Sequence, residues 1–438
     1  MAVTNWKEKY KDKLFTAQEA AGLIHSGDHI TTGLYLSLPY AFLEALSGRI
    51  TSLEAVKLDL AANYKPLKLA LPEYRENIEI SSYFLTMAER KLINSYGAPI
   101  SYMPLHLSDV RRVMSSRGNV LVAVGTPPDE NGKISLGPCP ADADLIRFCD
   151  KIIIEVNEQL PFVRGDEQLV DVDRVTALID APGKLLTVPP AEASPEEAAI
   201  AELIAERIPD GACIQLGIGG LGKAVGRRLK EKRELGIHTE MFVEPMVDLI
   251  ECGAVTNSRK QLCRGKSIFG FTLGSERLYK LIDNNPLIES RPFAWVNDPR
   301  VIAQNDNVVS VNGAMQIDLS GQVCAESIGL SQFSGTGGQS DYVRGAKWSN
   351  GGMSFIALPS VRQDKETGAL ISKISLTLPL GSAVTTVRSD VQYIATEYGI
   401  VNLRGESLSS RAKLLISVAH PQFRDELTYQ AKKAGIIV

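Results

Sequence analysis

The stretch from Cys213 to Asp248, CIQLGIGGLGKAVGRRLKEKRELGIHTEMFVEPMVD, constrains the fold more than any other part of the chain. A short apolar run, Cys213 to Leu216, breaks into the turn Gly217-Ile218-Gly219-Gly220-Leu221-Gly222. A basic segment with helical character follows, and a second apolar run carries Glu240. Strand, glycine turn, helix and strand in that order make one crossover of a parallel sheet, which places the chain in the α/β class. Backbone N–H groups in such a turn have no side chains to shield them, so the turn is also where a polar ligand can approach closely.

The same alternation recurs on both sides. Thr16 to Ile24 opens with an N-cap threonine and has Glu19 three residues on, the pattern of a capping box. His29 to Thr32 reads as a short strand and Pro39 to Leu46 as a helix, with further strands at Val56 to Leu60, Ile78 to Ser81 and Ile100 to Met103. Asn119 to Gly125 is continuously apolar, as in a strand covered on both faces. A helix from about Ala141 to Cys149 and the strand Lys151 to Val156 follow. Ala181 to Pro195 concentrates four prolines in a stretch with little periodicity and marks a boundary, giving domains of 1–185 and 186–438. At 438 residues the chain exceeds the roughly 250 to 300 residues at which one core stops growing, so two domains are expected.

Beyond the boundary, Ser194-Pro195-Glu196-Glu197 starts a helix with proline at its first position and a capping-box glutamate. Val308 to Val311, Phe355 to Pro359 and Tyr393 to Thr396 read as strands, Ser407 to Val418 as an amphipathic helix and AHPQFRDEL as a packing element. Ser310 to Gly329 repeats the layout of Val122 to Gly137, namely an apolar strand, a turn, Asp, Asn-Gly or Ser-Gly, and a second strand ending in Ser-x-Gly. Two similar domains would produce that echo. A second glycine cluster, SGTGGQSDYVRGA, spans Ser334 to Ala346.

Composition removes several function classes. A net charge of -4 argues against nucleic acid as partner, since phosphate-backbone affinity needs a net basic face. The N-terminal residues lack the apolar core of a signal peptide, and no run of about 18 apolar residues occurs, so a soluble cytoplasmic protein without a membrane partner is expected. The six cysteines show no metal-ligand spacing, and the five histidines form no H-E-x-x-H pair. Chemistry built on this chain needs neither a bound metal nor a histidine base.

Three chemical readings compete for the glycine turn, beside the bland one of a turn that lets a helix pack on a strand. It satisfies G-x-G-x-x-G, and Glu240 lies 23 residues beyond Gly217 where a ribose-binding carboxylate is expected about 20 residues on, the pattern of an NAD-dependent dehydrogenase. As a P-loop it has Lys223 but Ala224 where a hydroxyl must bind magnesium. In the third reading Glu240 is a nucleophile. A carboxylate with an ordinary pKa of about 4.3 is ionised at neutral pH and attacks an acyl centre without a general base. Glu244 is the decoy, since on one strand it would share the face of Glu240 and His238. Lys223, Arg227 and Lys373 are candidate phosphate partners.

The ordered set WKEKYKDKLFTAQEAAGLIHSGDHI, PPDENGKISLG, EVNEQLPFVRGD, IQLGIGGL, LGIHTEM, SGTGGQSDYVRGA and ATEYGIVNLRGESLSSRAKLLISVAHPQFRDEL covers nearly the whole chain. It resembles the acetyl-CoA hydrolase/transferase family of class I coenzyme A transferases, above all its 4-hydroxybutyrate and butyrate–acetate members. The resemblance implies two similar open α/β domains with mostly parallel sheets, the first on the acyl/carboxylate side and the second carrying the catalytic glutamate. It makes Glu240 that glutamate, Gly217, Ile218, Gly219, Gly220 and Leu221 the coenzyme A loop, Gly338 a second glycine contact and Asn297 the asparagine beside the glutamate. It implies no permanently bound cofactor, an acyl-CoA thioester and a carboxylate as substrates, and a homodimer or homotetramer. It leaves coenzyme A transfer and acyl-CoA hydrolysis as rival outcomes. The chain departs from the pattern after the glutamate, where Phe242-Val243-Glu244-Pro245-Met246-Val247-Asp248 replaces S-D-G-V-V-D.

Overall fold

The computed structural model describes residues 5–140, 143–189 and 192–437. The chain divides into two compact units, Met1–Val188 with Ile268–Val296, and Pro189–Ser267 with Asn297–Val438. The expected boundary contains Pro190 and Ala191, which lie outside the described residues, as do Ala141 and Asp142 at the start of the expected helix there. From Ala143 to Arg147 the chain forms a 3-10 turn rather than an α-helix.

The first unit is built on one parallel sheet of Leu14–Phe15 (β1), His29–Thr32 (β2), Val56–Leu60 (β3), Ile78–Ser82 (β4), Ile100–Tyr102 (β5), Val120–Gly125 (β6), Lys151–Val156 (β7) and Ala177–Asp180 (β8). The order across the sheet is β1-β8-β7-β6-β2-β3-β4-β5. β6 is buried at all six positions, which explains its unbroken apolar sequence. Helices Ala17–Gly22 (α1), Tyr40–Ser47 (α2) and Met87–Tyr96 (α3) belong to this unit. α1 starts as its sequence requires, with Glu19 N–H donating to Thr16 Oγ1 at 3.1 Å and Thr16 N–H to Glu19 Oε2 at 2.8 Å. Phe42, Leu43 and Leu46 of α2 pack with Ile30, Leu58 and Val120 in the core. The later segment supplies the strand Ser267–Thr272 and a short helix, Phe293–Val296.

In the second unit Pro195–Arg207 (α4) leads into Cys213–Leu216 (β9), Gly220–Arg228 (α5), Gly236–Phe242 (β10) and Glu244–Glu251 (α6). Then come Val308–Gly313 (β11), Gln339–Trp348 (α7), Met353–Ala357 (β12), Tyr393–Thr396 (β13), Gly399–Asn402 (β14), Leu408–Ser417 (α8) and Pro421–Lys433 (α9). Six neighbouring strands of an eight-stranded sheet run in the order β10-β9-β11-β12-β13-β14, parallel except for the β13–β14 hairpin. α4 begins with Ser194 Oγ accepting from Glu197 N–H at 3.2 Å, behind Pro195. The packing element at the end of the chain is α9, which buries Leu427 and Ala431 beside Leu415 and Ile416 of α8.

The two orders match strand for strand: β2, β3, β6, β7 and β8 stand in the same relation as β9, β10, β11, β12 and β13. The registers match as well. Ile30 of β2 pairs with Leu58 of β3 and Val120 of β6, and Ile214 of β9 pairs with Ile237 of β10 and Val309 of β11. β2 and β9 both run into a glycine, Gly33 and Gly217. The echo in the sequence is therefore a repeated topology.

Candidate active site

Glu240 stands near the end of β10. Carried forward from Ile214↔Ile237, the β9–β10 register puts Glu240 level with Gly217, at the carboxyl ends of the parallel strands. Open α/β sheets bind ligands along that edge. Alternation along β10 turns Glu240, His238 and Phe242 to one face, with His238 and Phe242 buried and Glu240 half-buried. Glu244 does not share that face, because β10 ends at Phe242 and Glu244 is the first residue of α6. Pro245, at the second helical position, has no N–H for a strand ladder and suits the start of a helix.

Two groups hold the Glu240 carboxylate. Asn297 Nδ2 donates to Oε2 at 2.8 Å, and the backbone N–H of Gly338 donates to the carboxylate. Gly338 is the N-cap of α7, so the carboxylate also lies at a helix N-terminus. A methyl group built on Gly338 would overlap Glu240 Oε2 and Asn297 Nδ2, which is why this position has no side chain. Tyr342, one turn into α7, is buried, and its ring lies 6.4 Å from that of His238.

Burial sets the electrostatics. Loss of water pushes the Glu240 carboxyl up to about 7, against the hydrogen bonds from Asn297 and Gly338, which favour the anion. The ordinary value of about 4.3 assumed from sequence therefore does not hold, and near neutral pH roughly half of the groups are ionised. A desolvated carboxylate is the stronger nucleophile once deprotonated.

The glycine turn forms a second feature of the same unit. Gly219 caps α5 with φ +98° and no side-chain hydrogen bond, a conformation that glycine adopts without strain. Gly217, Ile218, Leu221 and Gly222 line a cavity of about 210 Å³, together with residues that include Ala357 and Lys373. Gly219 and Gly220 lie outside this lining. Gly220 faces Glu192, Ala193 and the Glu197 carboxylate, within a backbone approach that leaves no room for a side chain. The first N–H groups of a helix have no intrahelical partner, so this cavity lies against donors.

The structure thus brings Glu240, Asn297 and Gly338 into contact and sets Gly217, Ile218 and Leu221 on a neighbouring cavity. Of the candidate phosphate partners, Lys223 is paired with Glu192, whose other oxygen lies 3.8 Å from Arg227. Lys373 lies on the cavity wall, and burial lowers its pKa against the pull of Glu197 and Glu397. Sequence reasoning missed Ala357, Leu358 and Pro359 as lining residues.

Residues 2–189 match the acetyl-CoA hydrolase/transferase N-terminal domain and residues 274–431 its C-terminal domain. The chain is 38% identical to a succinyl-CoA:cyclohexane-1-carboxylate CoA transferase of Geobacter metallireducens, over 100% of this chain and 99% of that protein. It is 37% identical to a butyryl-CoA:acetate CoA-transferase of Anaerostipes caccae, over 99% and 98%. The crystal structure of RipA from Yersinia pestis superposes with a TM-score of 0.90 at 37% identity, covering 99% of this chain and all of that one. The chain belongs to the acetyl-CoA hydrolase/transferase family.

Proposed function

We propose that this protein transfers coenzyme A between a short-chain acyl-CoA and a carboxylate, with acetate or acetyl-CoA as one partner, through a thioester on Glu240. The observation that carries the reading is the carboxylate held by Asn297 at Oε2 and by the Gly338 N–H. The carboxylate adds to the thioester carbonyl, the C–S bond breaks, and coenzyme A leaves as thiolate with the mixed anhydride left on Glu240. The thiolate then attacks the glutamyl carbonyl and releases the acyl group as a carboxylate. An acceptor carboxylate runs the two steps in reverse and regenerates Glu240. Each step exchanges one acyl bond for another, so atoms and charge balance without a metal or redox partner.

Asn297 Nδ2 and the Gly338 N–H would hold the oxygen that gains charge when the glutamyl carbonyl is attacked. The donors of the glycine turn would serve the acyl carbonyl; loss of one such donor typically costs about 3 kcal/mol of barrier. In the rival dehydrogenase reading Glu240 must bind a ribose, yet its Oε2 is held by Asn297. Initial rates over a matrix of butyryl-CoA and acetate concentrations test the proposal. Parallel reciprocal lines are expected, since a covalent relay separates the two substrates; thiol release independent of acetate would make the protein a hydrolase. A nicotinamide-linked absorbance change would return the glycine turn to a dinucleotide.

A further inference from the structure

The Gly338 N–H reaches Glu240 from a stretch with little of its own to hold it. Ser334-Gly335-Thr336-Gly337-Gly338 has three glycines and no large apolar side chain, and Gly337 adopts φ +58°. Glycine backbone keeps the most conformational freedom of any residue, so groups outside the loop must fix the N–H. On the helix side they are visible. Gln339 Nε2 donates to the Gly313 carbonyl at the end of β11 at 2.7 Å, and Gln339 Oε1 accepts from Thr386 Oγ1 at 3.0 Å. Ser340 Oγ donates to the Thr385 carbonyl.

On the other side stands Glu326, buried with 5% of its surface exposed. Its Oε2 accepts from Thr336 Oγ1 at 3.3 Å and from Gln332 Nε2 at 3.2 Å, and its Oε1 accepts from Thr385 Oγ1 at 2.9 Å. The Glu326 backbone carbonyl accepts from Phe333 N–H at 2.7 Å and Ser334 N–H at 3.1 Å. One residue thus grips the loop by side chain and main chain, and ties it to the Thr385–Thr386 segment that also holds the start of α7. The internal repeat supplies a control. Ser327-Ile328-Gly329 echoes Ser135-Leu136-Gly137, so the counterpart of Glu326 in the first unit is Ile134, which is fully buried. Packing at that position is served by isoleucine; a buried carboxyl costs free energy unless its hydrogen bonds are made.

We propose that Glu326 is a positioning residue for the transfer reaction, fixing the loop so that the Gly338 N–H meets the Glu240 carboxylate. The proposal rests on the reading of Glu240 as nucleophile. Glu326 acts through the loop and not on the substrate. The fit it maintains is close, since even a methyl group on Gly338 would overlap Glu240 Oε2 and Asn297 Nδ2. Misplacing a group at such a contact by about an ångström costs on the order of a hundredfold in rate.

The test measures steady-state rates with butyryl-CoA and acetate across pH. Glu326→Ala should lower kcat by roughly ten- to a hundredfold. KM for butyryl-CoA should stay within about twofold, because the lost contact belongs to the reacting carboxylate and not to substrate binding. The Gly338 N–H favours the ionised form of Glu240, so the midpoint of the kcat/KM profile should also move above the parent value. Tyr342 of α7, which interacts with Glu240, and His238, on the same face of β10, are unchanged in every variant, as are Asp341 and Cys213, which act on Tyr342. Glu326→Gln keeps an acceptor for Thr385 and can rebuild the other bonds by rotating the amide, so it should recover most of the loss. Thr336→Val removes one donor without changing the buried carboxyl and should shift kcat and midpoint in the same direction, which keeps the test decisive if Glu326→Ala fails to fold. A kcat or a midpoint that stays at the parent value in the folded variants among Glu326→Ala and Thr336→Val overturns the proposal, whatever the melting temperature does. A parent without acetate-dependent coenzyme A transfer, or a Glu240→Ala variant as active as the parent, contradicts the functional reading itself, and with it the role assigned to Glu326.

Discussion

The two sheets run in the same order and the same register, and the Glu240 carboxylate with Asn297 and Gly338 stands at the carboxyl edge of the second. In the first unit β2 ends at Gly33 and gives way to a 3-10 turn whose flank buries Leu34, Leu36 and Ser37, and α2 begins against Glu155. β3 runs out into Ala61 and Ala62. In the second unit β9 ends at Gly217, no side chain caps α5, and Glu240 extends from β10 level with the turn. The site arises from subtraction as much as addition. Glu155, which meets the start of α2, has Ala357 as its counterpart in the second unit, and there a carboxylate, Glu240, is added at the strand end. A parallel sheet makes this cheap, because the carboxyl ends lie outside the core and tolerate change without disturbing the strands.

Substitutions can break or sharpen that contrast, beginning with the largest effect. Glu240→Ala should reduce turnover by roughly 10^4-fold or more, the scale seen when a covalent nucleophile is removed. Its melting temperature should stay near the parent value, because desolvation of the charged group is relieved. Gly338→Ala forces the carboxylate and Asn297 apart and should lower kcat by about a hundredfold, the cost of displacing a reacting group by an ångström. Full activity in Gly338→Ala would mean that the Glu240 geometry is not the reacting one.

The pH dependence comes next. With Glu240 pushed up to about 7, the ionised nucleophile is lost as pH falls, so kcat/KM should drop about tenfold per unit below that midpoint and level off above it. Asn297→Ala removes a donor that favours the anion, and the midpoint should move higher. A midpoint near 4.5 in the parent would place Glu240 in water. The smallest effect lies in the first unit. Glu155→Ala leaves the start of α2 uncapped and should cost about 1 to 2 kcal/mol of stability. Glu155 too is raised to about 7 by burial, so the folded state binds its proton more tightly than the unfolded chain does. Stability should therefore fall as pH rises from about 4.5 to about 7, and Glu155→Gln should flatten that part of the profile.

The strands were most legible where burial on both faces leaves an unbroken apolar run, as in Val120–Gly125. Capping chemistry fixed the starts of α1 and α4 at Thr16 and Ser194. What sequence could not supply was the environment of each group. The Glu240 proton affinity depends on water excluded by residues distant in the chain. The end of β10 depends on Pro245, whose missing N–H outweighs the strand alternation that grouped Glu244 with Glu240. Ala357 carries no chemical signal of its own and is recognisable only once the register of two strands shows that it stands in place of Glu155. Asn297 and Gly338 came from family resemblance, and their meeting at the Glu240 carboxylate is a property of the fold.

Mass spectrometry of the protein after brief incubation with an acyl-CoA tests the central claim most directly. A mass increment of one coenzyme A on the peptide containing Glu240, absent in Glu240→Ala and discharged by acetate with release of acetyl-CoA, is the predicted result. An increment that persists in Glu240→Ala, or that maps to Glu244, would contradict the assignment of the nucleophile.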